Sequence, residues 1–382
     1  MDLYNKKHAF ISTANFHVIN LLLNLIQRDI IEKSKLILII DSKSDRGEEI
    51  INTCKANNIT AFYWDEIKTT SQKFLTLNSI SLQLSLAEII VHCLNHNFIT
   101  AGRTSILITD DEVTRWLNLY NNEGRLRVSK LAKIDNNVLK ILNIVNNYIT
   151  PYNSWGKYIE SITGRKLNII DAVIPFSAID YNSQETIKRL VSERAKHRVS
   201  ESCKVLLFTQ PRDQRQTFNI VKGFLTKELE QTDKKPIVLG LWLHLNAKGL
   251  LYLSIIKILI KLKKLSITIK LEQKVSHEHY AMMLYDYDYL ILQARGGFST
   301  AKYFSENIGK VLTLKNSPND QTLKLDYGVR TFSFDSFEDA LKSALTSIQP
   351  RDDKNVLQFT QSLSKKNNDS LTILKKYWNS FQ

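Results

Sequence analysis

Four short segments hold residue types able to manage a phosphate or a hydroxyl proton. Thr109-Asp110-Asp111-Glu112 sets three carboxylates side by side. Their mutual repulsion raises the proton affinity of at least one, which suits a general base. Asp110 and Asp111 are equal candidates for that role, although the same residues would also cap a following helix. Gln293-Ala294-Arg295-Gly296-Gly297-Phe298-Ser299-Thr300 is the sharpest of the four. Paired glycines let backbone approach a ligand closely, and Ser299 and Thr300 open a helix whose N–H groups point the same way. Arg295 adds a countercharge, which completes a phosphate cradle. The spacing matches neither a P-loop nor a dinucleotide fingerprint, which argues against ATP and NAD.

The other two segments carry weaker signals. Ser12-Thr13-Ala14-Asn15-Phe16-His17-Val18-Ile19-Asn20 joins a strand to a helix through small polar residues. Thr13, His17 and Asn20 are candidates for holding an anion or a sugar hydroxyl, with His17 and Asn20 on one helical face. The competing role is a helix cap from Ser12 or Thr13. Phe208-Thr209-Gln210-Pro211-Arg212-Asp213 is a Pro-turned loop in which Gln210 could meet donor or acceptor and Arg212 or Arg215 a phosphate. His244 follows an apolar run and joins the donor-side candidates. His277 and His279 lack a third ligand at useful spacing, so no metal site is expected.

Positioning such loops requires strands that end where the loops begin, as in a parallel α/β sheet. His8–Ser12, Leu36–Ile40, Thr60–Trp64, Ser105–Thr109 and Leu167–Ile174 read as strands. Helical patterns separate them, including one over Leu82–Asn97 and one over Asn136–Ile149. A charged stretch follows, and the pattern restarts with Val205–Phe208, Ile237–Leu243, Ile267–Leu271, Tyr289–Gln293, Val311–Leu314 and Thr331–Phe334. The expected organisation is a first Rossmann-like domain over 1–182, a linker helix over 183–203, a second such domain over 204–345, and a helical tail over 346–382 that packs back toward the first. The candidate loops would then face a cleft between the two halves.

A net charge of +14 suits nucleic acid, an anionic lipid leaflet, or a substrate carrying phosphate or carboxylate, the alternative being a Lys excess set by an AT-rich genome. No zinc spacing, RNP-like aromatic motif or arginine-rich arm is present, which argues against nucleic acid. Cys54, Cys93 and Cys203 show no paired spacing, which fits a reducing cytoplasm. Lys257, Lys261, Lys263 and Lys264 interrupt the greasiest stretch, so it cannot span a bilayer that needs roughly 20 apolar residues. Lys257, Lys261 and Lys264 instead form a stripe opposite Ile255, Ile258, Leu259 and Leu262. This stripe could rest on anionic headgroups at the inner face of the membrane.

Read in order, the motifs resemble those of bacterial sialyltransferases and polysialyltransferases of GT-B fold, and of related capsule and lipopolysaccharide glycosyltransferases. The carrying residues are Thr13, His17 and Asn20 after the first strand, Asp110-Asp111 for an acidic motif, Thr209-Gln210-Pro211 opening the second domain, His244 for a His-Pro motif, and Ser299-Thr300 entering a helix. Glu112 stands where that family has Gly, and Leu245 where it has Pro, so the donor stays open. The stretch from Arg295 through Val329 is also similar to the donor end of transferases that use dTDP-amino-deoxyhexoses. The resemblance implies a GT-B fold and inverting transfer from a nucleotide sugar to a glycan or lipid-linked glycan, with no cofactor and no metal. Within it, Asp110 or Asp111 is the base. His244, Gln210, Arg295, Gly296, Gly297, Ser299 and Thr300 meet the donor, and Thr13, His17 and Asn20 the acceptor. A noncatalytic partner in polysaccharide assembly is the alternative.

Overall fold

The computed structural model describes residues 6–70, 73–108, 110–174, 189, 202–208, 214–226, 236–242, 246–273, 277–307, 309–327, 332–346 and 354–381. The chain forms two compact units, Met1–Phe176 with Lys365–Gln382, and Ser177–Ser364. Of the expected linker over 183–203, only 189, 202 and 203 fall among the described residues, and Cys203 already belongs to a strand.

Among the described residues the first unit carries seven strands: β1 (His8–Ser12), β2 (Leu36–Ile40), β3 (Thr60–Tyr63), β4 (Thr76–Ile80), β5 (Thr104–Leu107), β6 (Asn147–Ile149) and β7 (Asn168–Ile170). They pair in parallel in the order β3-β2-β1-β4-β5-β6-β7. The helices are α1 (Phe16–Gln27), α2 (Asp45–Ala56), α3 (Trp64–Ile67), α4 (Leu84–Asn95), α5 (Asp110–Glu123), α6 (Asn136–Ile144) and α7 (Lys157–Thr163). Continuous apolar runs such as Leu-Ile-Leu-Ile-Ile in β2 are buried throughout, as expected of strands covered on both faces.

Three sequence expectations change here. The run over Asn136–Ile149 divides into α6 and β6, and the strand expected over Leu167–Ile174 contracts to Asn168–Ile170. Strand β4, Thr-Leu-Asn-Ser-Ile, has no counterpart in the sequence reading although it lies at the centre of the sheet and is wholly buried. Its polar side chains are buried because each has a partner. Asn78 donates from Nδ2 to the Ala9 carbonyl (3.2 Å) and to Thr76 Oγ1 (2.9 Å), and its Oδ1 accepts from Ser105 Oγ (2.7 Å) and Trp378 Nε1 (2.9 Å). Buried polar groups so satisfied cost the sheet little.

The second unit holds β8 (Cys203–Leu207), β9 (Ile237–Trp242), β10 (Ile267–Glu272), β11 (Tyr289–Ile291), β12 (Lys310–Leu314) and β13 (Ser333–Phe334). All pair in parallel in the order β10-β9-β8-β11-β12-β13. Its helices are α8 (Gln214–Thr226), α9 (Ala247–Leu262), α10 (His277–Tyr285), α11 (Phe298–Asn307), α12 (Pro318–Tyr327) and α13 (Phe337–Thr346). Successive residues of β8 point to opposite faces. Val205 and Leu207 enter a core with Val221, Phe224 and Leu341, while Leu206 enters another with Tyr287, Leu290 and Phe304. The last helix, α14 (Lys354–Asn379), contributes its residues from Lys365 onward to the first unit, where Ser370 Oγ accepts from the Val173 amide (3.0 Å).

In each sheet the strand order reverses once, between β1 and β4 and between β8 and β11. Parallel sheets bind ligands beyond the carboxyl ends of strands at such reversals.

Candidate functional site

The Gly296-Gly297 pair leaves β11 at the reversal point of the second sheet. Both residues have left-handed backbone, φ 73° and 76°, and α11 begins at the next residue. Glycine adopts that conformation without steric cost, so the two residues are needed for geometry as well as for space. The loop is held from below by Asn319, in the first turn of α12. Its Nδ2 donates to the carbonyls of Gln293 (2.6 Å) and Gly296 (3.0 Å), and its backbone N–H to the Ala294 carbonyl (3.2 Å).

Next to Asn319, the buried Asp320 carboxylate accepts from Thr313 Oγ1 (3.1 Å), the Asn316 amide (2.9 Å) and Lys324 Nζ (2.7 Å), which ties α12 to β12. Phe298, first residue of α11, stacks on Tyr327 at 5.4 Å between centroids. Neither Asn319 nor Asp320 was among the candidates read from sequence. Ser317-Pro318 is the signal that could have found them, a cap followed by proline at the first helical position; the Ser317 hydroxyl does accept from the Asp320 amide (3.2 Å).

The five donor-side candidates around α11 differ in what they can offer. Thr300 is 6% exposed, and its hydroxyl meets the Tyr280 hydroxyl at 3.2 Å. Burial pushes the Tyr280 phenol up, against a smaller opposing effect of Thr300. Arg295 and Ser299 are half-buried, as are Gly296 and Gly297. On the other side of the reversal, β8 is followed by Phe208, a non-glycine residue with φ 67° packed edge-on against Phe337. Holding it left-handed costs roughly 1–2 kcal/mol. The loop that this residue launches, with Gln210, and the His244 segment lie outside the described residues.

In the first unit, Asn15 rather than Ser12 or Thr13 caps α1, its side chain accepting from the His17 amide (3.1 Å). Ser12 is still in β1, and its hydroxyl donates to the Thr13 carbonyl (2.9 Å). Thr13 is half-buried, His17 exposed and Asn20 buried, so His17 and Asn20 do not offer one accessible face. Across the reversal, Ser81 leaves β4 with φ 76°, its carbonyl accepting from Ser79 Oγ (2.7 Å).

Asp110 and Asp111 open α5 just beyond β5. The third carboxylate of the acidic run is turned inward. Glu112 is buried and its Oε1 accepts from the Leu82 amide (3.0 Å), which fixes the turn between β4 and α4. Asp110 and Asp111 are the first two residues of α5. Among the described residues no group of three or more His, Cys, Asp or Glu is placed to hold a metal ion.

No protein-family model matches this chain, and no curated protein sequence matches it. Solved structures do. HepE of Anabaena in complex with UDP is 11% identical and superposes over 98% of this chain and 99% of its own, with a TM-score of 0.59. The UDP complex of MnaA from S. aureus is 12% identical over 96% of this chain and 94% of its own, TM-score 0.55. UGT2 of Phytolacca americana, complexed with UDP-2-fluoroglucose and pterostilbene, is 8% identical over the whole of both chains, TM-score 0.54. At such identities the likeness is one of architecture, and the architecture of this chain is the GT-B fold, two parallel-sheet α/β units with a C-terminal helix.

Proposed function

We propose that this protein is a glycosyltransferase that takes its sugar from a uridine diphosphate donor. The observation that carries the reading is the left-handed Gly296-Gly297 pair ahead of α11, at the reversal point of the second sheet. A helix N-terminus approached through bare backbone suits a diphosphate. The UDP bound to HepE and to MnaA, and the UDP-glucose bound to HepE in a further complex, support that choice of donor.

In this reading the donor diphosphate lies on the N–H groups that open α11, with Arg295 and Ser299 beside it and His244 and Gln210 assisting. Thr300 acts one layer back through Tyr280. Asp110 or Asp111 takes the proton of the acceptor hydroxyl, whose oxygen attacks the anomeric carbon. The bond from that carbon to the phosphate oxygen breaks, and its electron pair leaves with UDP, so the sugar inverts. The helix N-terminus and Arg295 stabilise the departing charge, so the step calls for no metal. Thr13 and His17 meet the acceptor, with Asn20 supporting them from inside. The acceptor is a cell-surface glycan or its lipid-linked precursor, in keeping with the resemblance to capsule and lipopolysaccharide transferases.

Titration calorimetry with UDP, TDP, CMP and GDP tests the reading. UDP is expected to bind tightest. TDP binding above UDP favours a dTDP-amino-deoxyhexose donor, CMP above both a sialic acid donor, and no binding by any of them a noncatalytic role.

A further inference from the structure

Helix α9 is apolar on both of its faces, a pattern that ordinarily marks a helix buried all round. Here only one face is covered. Gly249 and Ile256 are buried toward the sheet, whereas Leu251, Ile258 and Leu262 are 58%, 56% and 73% exposed. Their spacing of seven and four residues sets them in one line along the helix. Ile258 and Leu262, expected to lie on the side opposite the lysines, therefore stand in solvent beside them.

The flank of this ridge is cationic. Lys257, Lys261 and Lys264 are exposed and overhang a groove of about 580 Å³ between α9 and the edge strand β10, floored by Ile260, Leu265 and Ile267. No Asp or Glu occurs between Asp233 and Glu272, a stretch that carries eight lysines. The first acid after it, Glu272, is buried and paired with Lys270 at 3.0 Å.

We infer that α9 docks this protein on an anionic phospholipid bilayer, with Leu251, Ile258 and Leu262 entering the headgroup region and Lys257, Lys261 and Lys264 on lipid phosphates. An apolar ridge with a lysine flank satisfies both halves of such a surface at once. A second copy of the chain fits poorly, because a symmetric contact would set lysines against lysines. Nucleic acid would leave the three aliphatic side chains without a partner.

Co-sedimentation of the full-length protein with phosphatidylcholine vesicles, with and without phosphatidylglycerol, tests this in the absence of nucleotide, so its outcome is separate from that of the donor reading. Binding is expected only to the phosphatidylglycerol vesicles and should weaken as salt is raised. Each of Lys257→Gln and Lys261→Gln should weaken it about fivefold. Ile258→Ser with Leu262→Ser should remove it while leaving thermal unfolding unchanged, since both residues are exposed. Failure to bind anionic vesicles at low salt, equal binding to neutral ones, or indifference to these substitutions overturns the inference. So does a concentration-dependent dimer that Leu262→Ser dissolves in a protein that ignores vesicles.

Discussion

Trp378 Nε1 donates to Asn78 Oδ1 at 2.9 Å across 300 positions of sequence, at the centre of the first sheet. The indole is buried and tilts against Phe10, with ring centroids 5.5 Å apart. Asn78 is thus a hub: strand β1, strand β5 and the terminal helix α14 all bind one amide.

Replacing Trp378 by Phe keeps most of the packing but takes one donor from a buried oxygen. Denaturant unfolding should show a loss of about 1–2 kcal/mol. Trp378→Ala adds a cavity and should cost about 3–5 kcal/mol. A Phe variant as stable as the parent would remove Asn78 from the account of the core.

His8 makes the first unit sensitive to acid. Burial, assisted by the Lys35 charge, lowers its pKa from 6.5 to about 4, and its Nδ1 lies 2.9 Å from Thr76 Oγ1. Between those values the unfolded chain binds a proton that the folded one refuses. Stability is therefore complete above pH 6.5 and falls as the pH drops toward 4, by about 3 kcal/mol for this group. In His8→Gln, urea midpoints measured across that window should lose this part of their slope.

The glycine pair makes a graded prediction. Asn tolerates left-handed backbone better than Ala, and Ala better than a β-branched residue. Affinity for UDP should fall in the order parent, Gly297→Asn, Gly297→Ala, Gly297→Val, with stability losses near 1 kcal/mol for the Ala variant. Calorimetry that finds all four equal would detach this loop from the nucleotide.

Asn319→Asp keeps the shape of the side chain but sets a carboxylate against two carbonyls. Cradle geometry should suffer more than global stability, so UDP affinity should drop about tenfold or more while the protein loses roughly 1–3 kcal/mol. Binding unchanged in a folded variant would show that the loop holds its form without this support.

Asp110→Asn and Asp111→Asn separate the two candidate bases. One of them should lower kcat by about 10²–10⁴ with UDP binding intact, and the other should not. If both variants turn over like the parent, neither is the base.

What was legible in the sequence was what local pattern dictates. The Leu-Ile-Leu-Ile-Ile run of β2 and the Gly-Gly turn ahead of α11 each carry their own signal, apolar continuity in one and backbone freedom in the other. Strand β4 carries none, because Thr76 and Asn78 are polar for partners that lie far away in sequence, and a window of a dozen residues cannot contain Trp378. Helix α12 was missed for a related reason. Its first turn buries Asn319 and Asp320, so its inward face is not apolar and no hydrophobic period marks it. In the acidic run the three carboxylates looked alike, and only tertiary structure distinguishes Glu112, committed to the Leu82 amide, from its two neighbours. The same limit applies to α9, where sequence gives the lysine stripe but not which apolar side chains the sheet leaves uncovered.

Trp378 and Ser370 also bear on the order of assembly during translation. A ribosome reading from the first codon completes all seven strands of the first sheet long before it reaches Lys365, yet the pocket around Asn78 stays open until the end of α14 leaves the exit tunnel. The nascent first unit must therefore wait through synthesis of the whole second one with a polar hole at its centre, which is the interval in which a chaperone has something to hold.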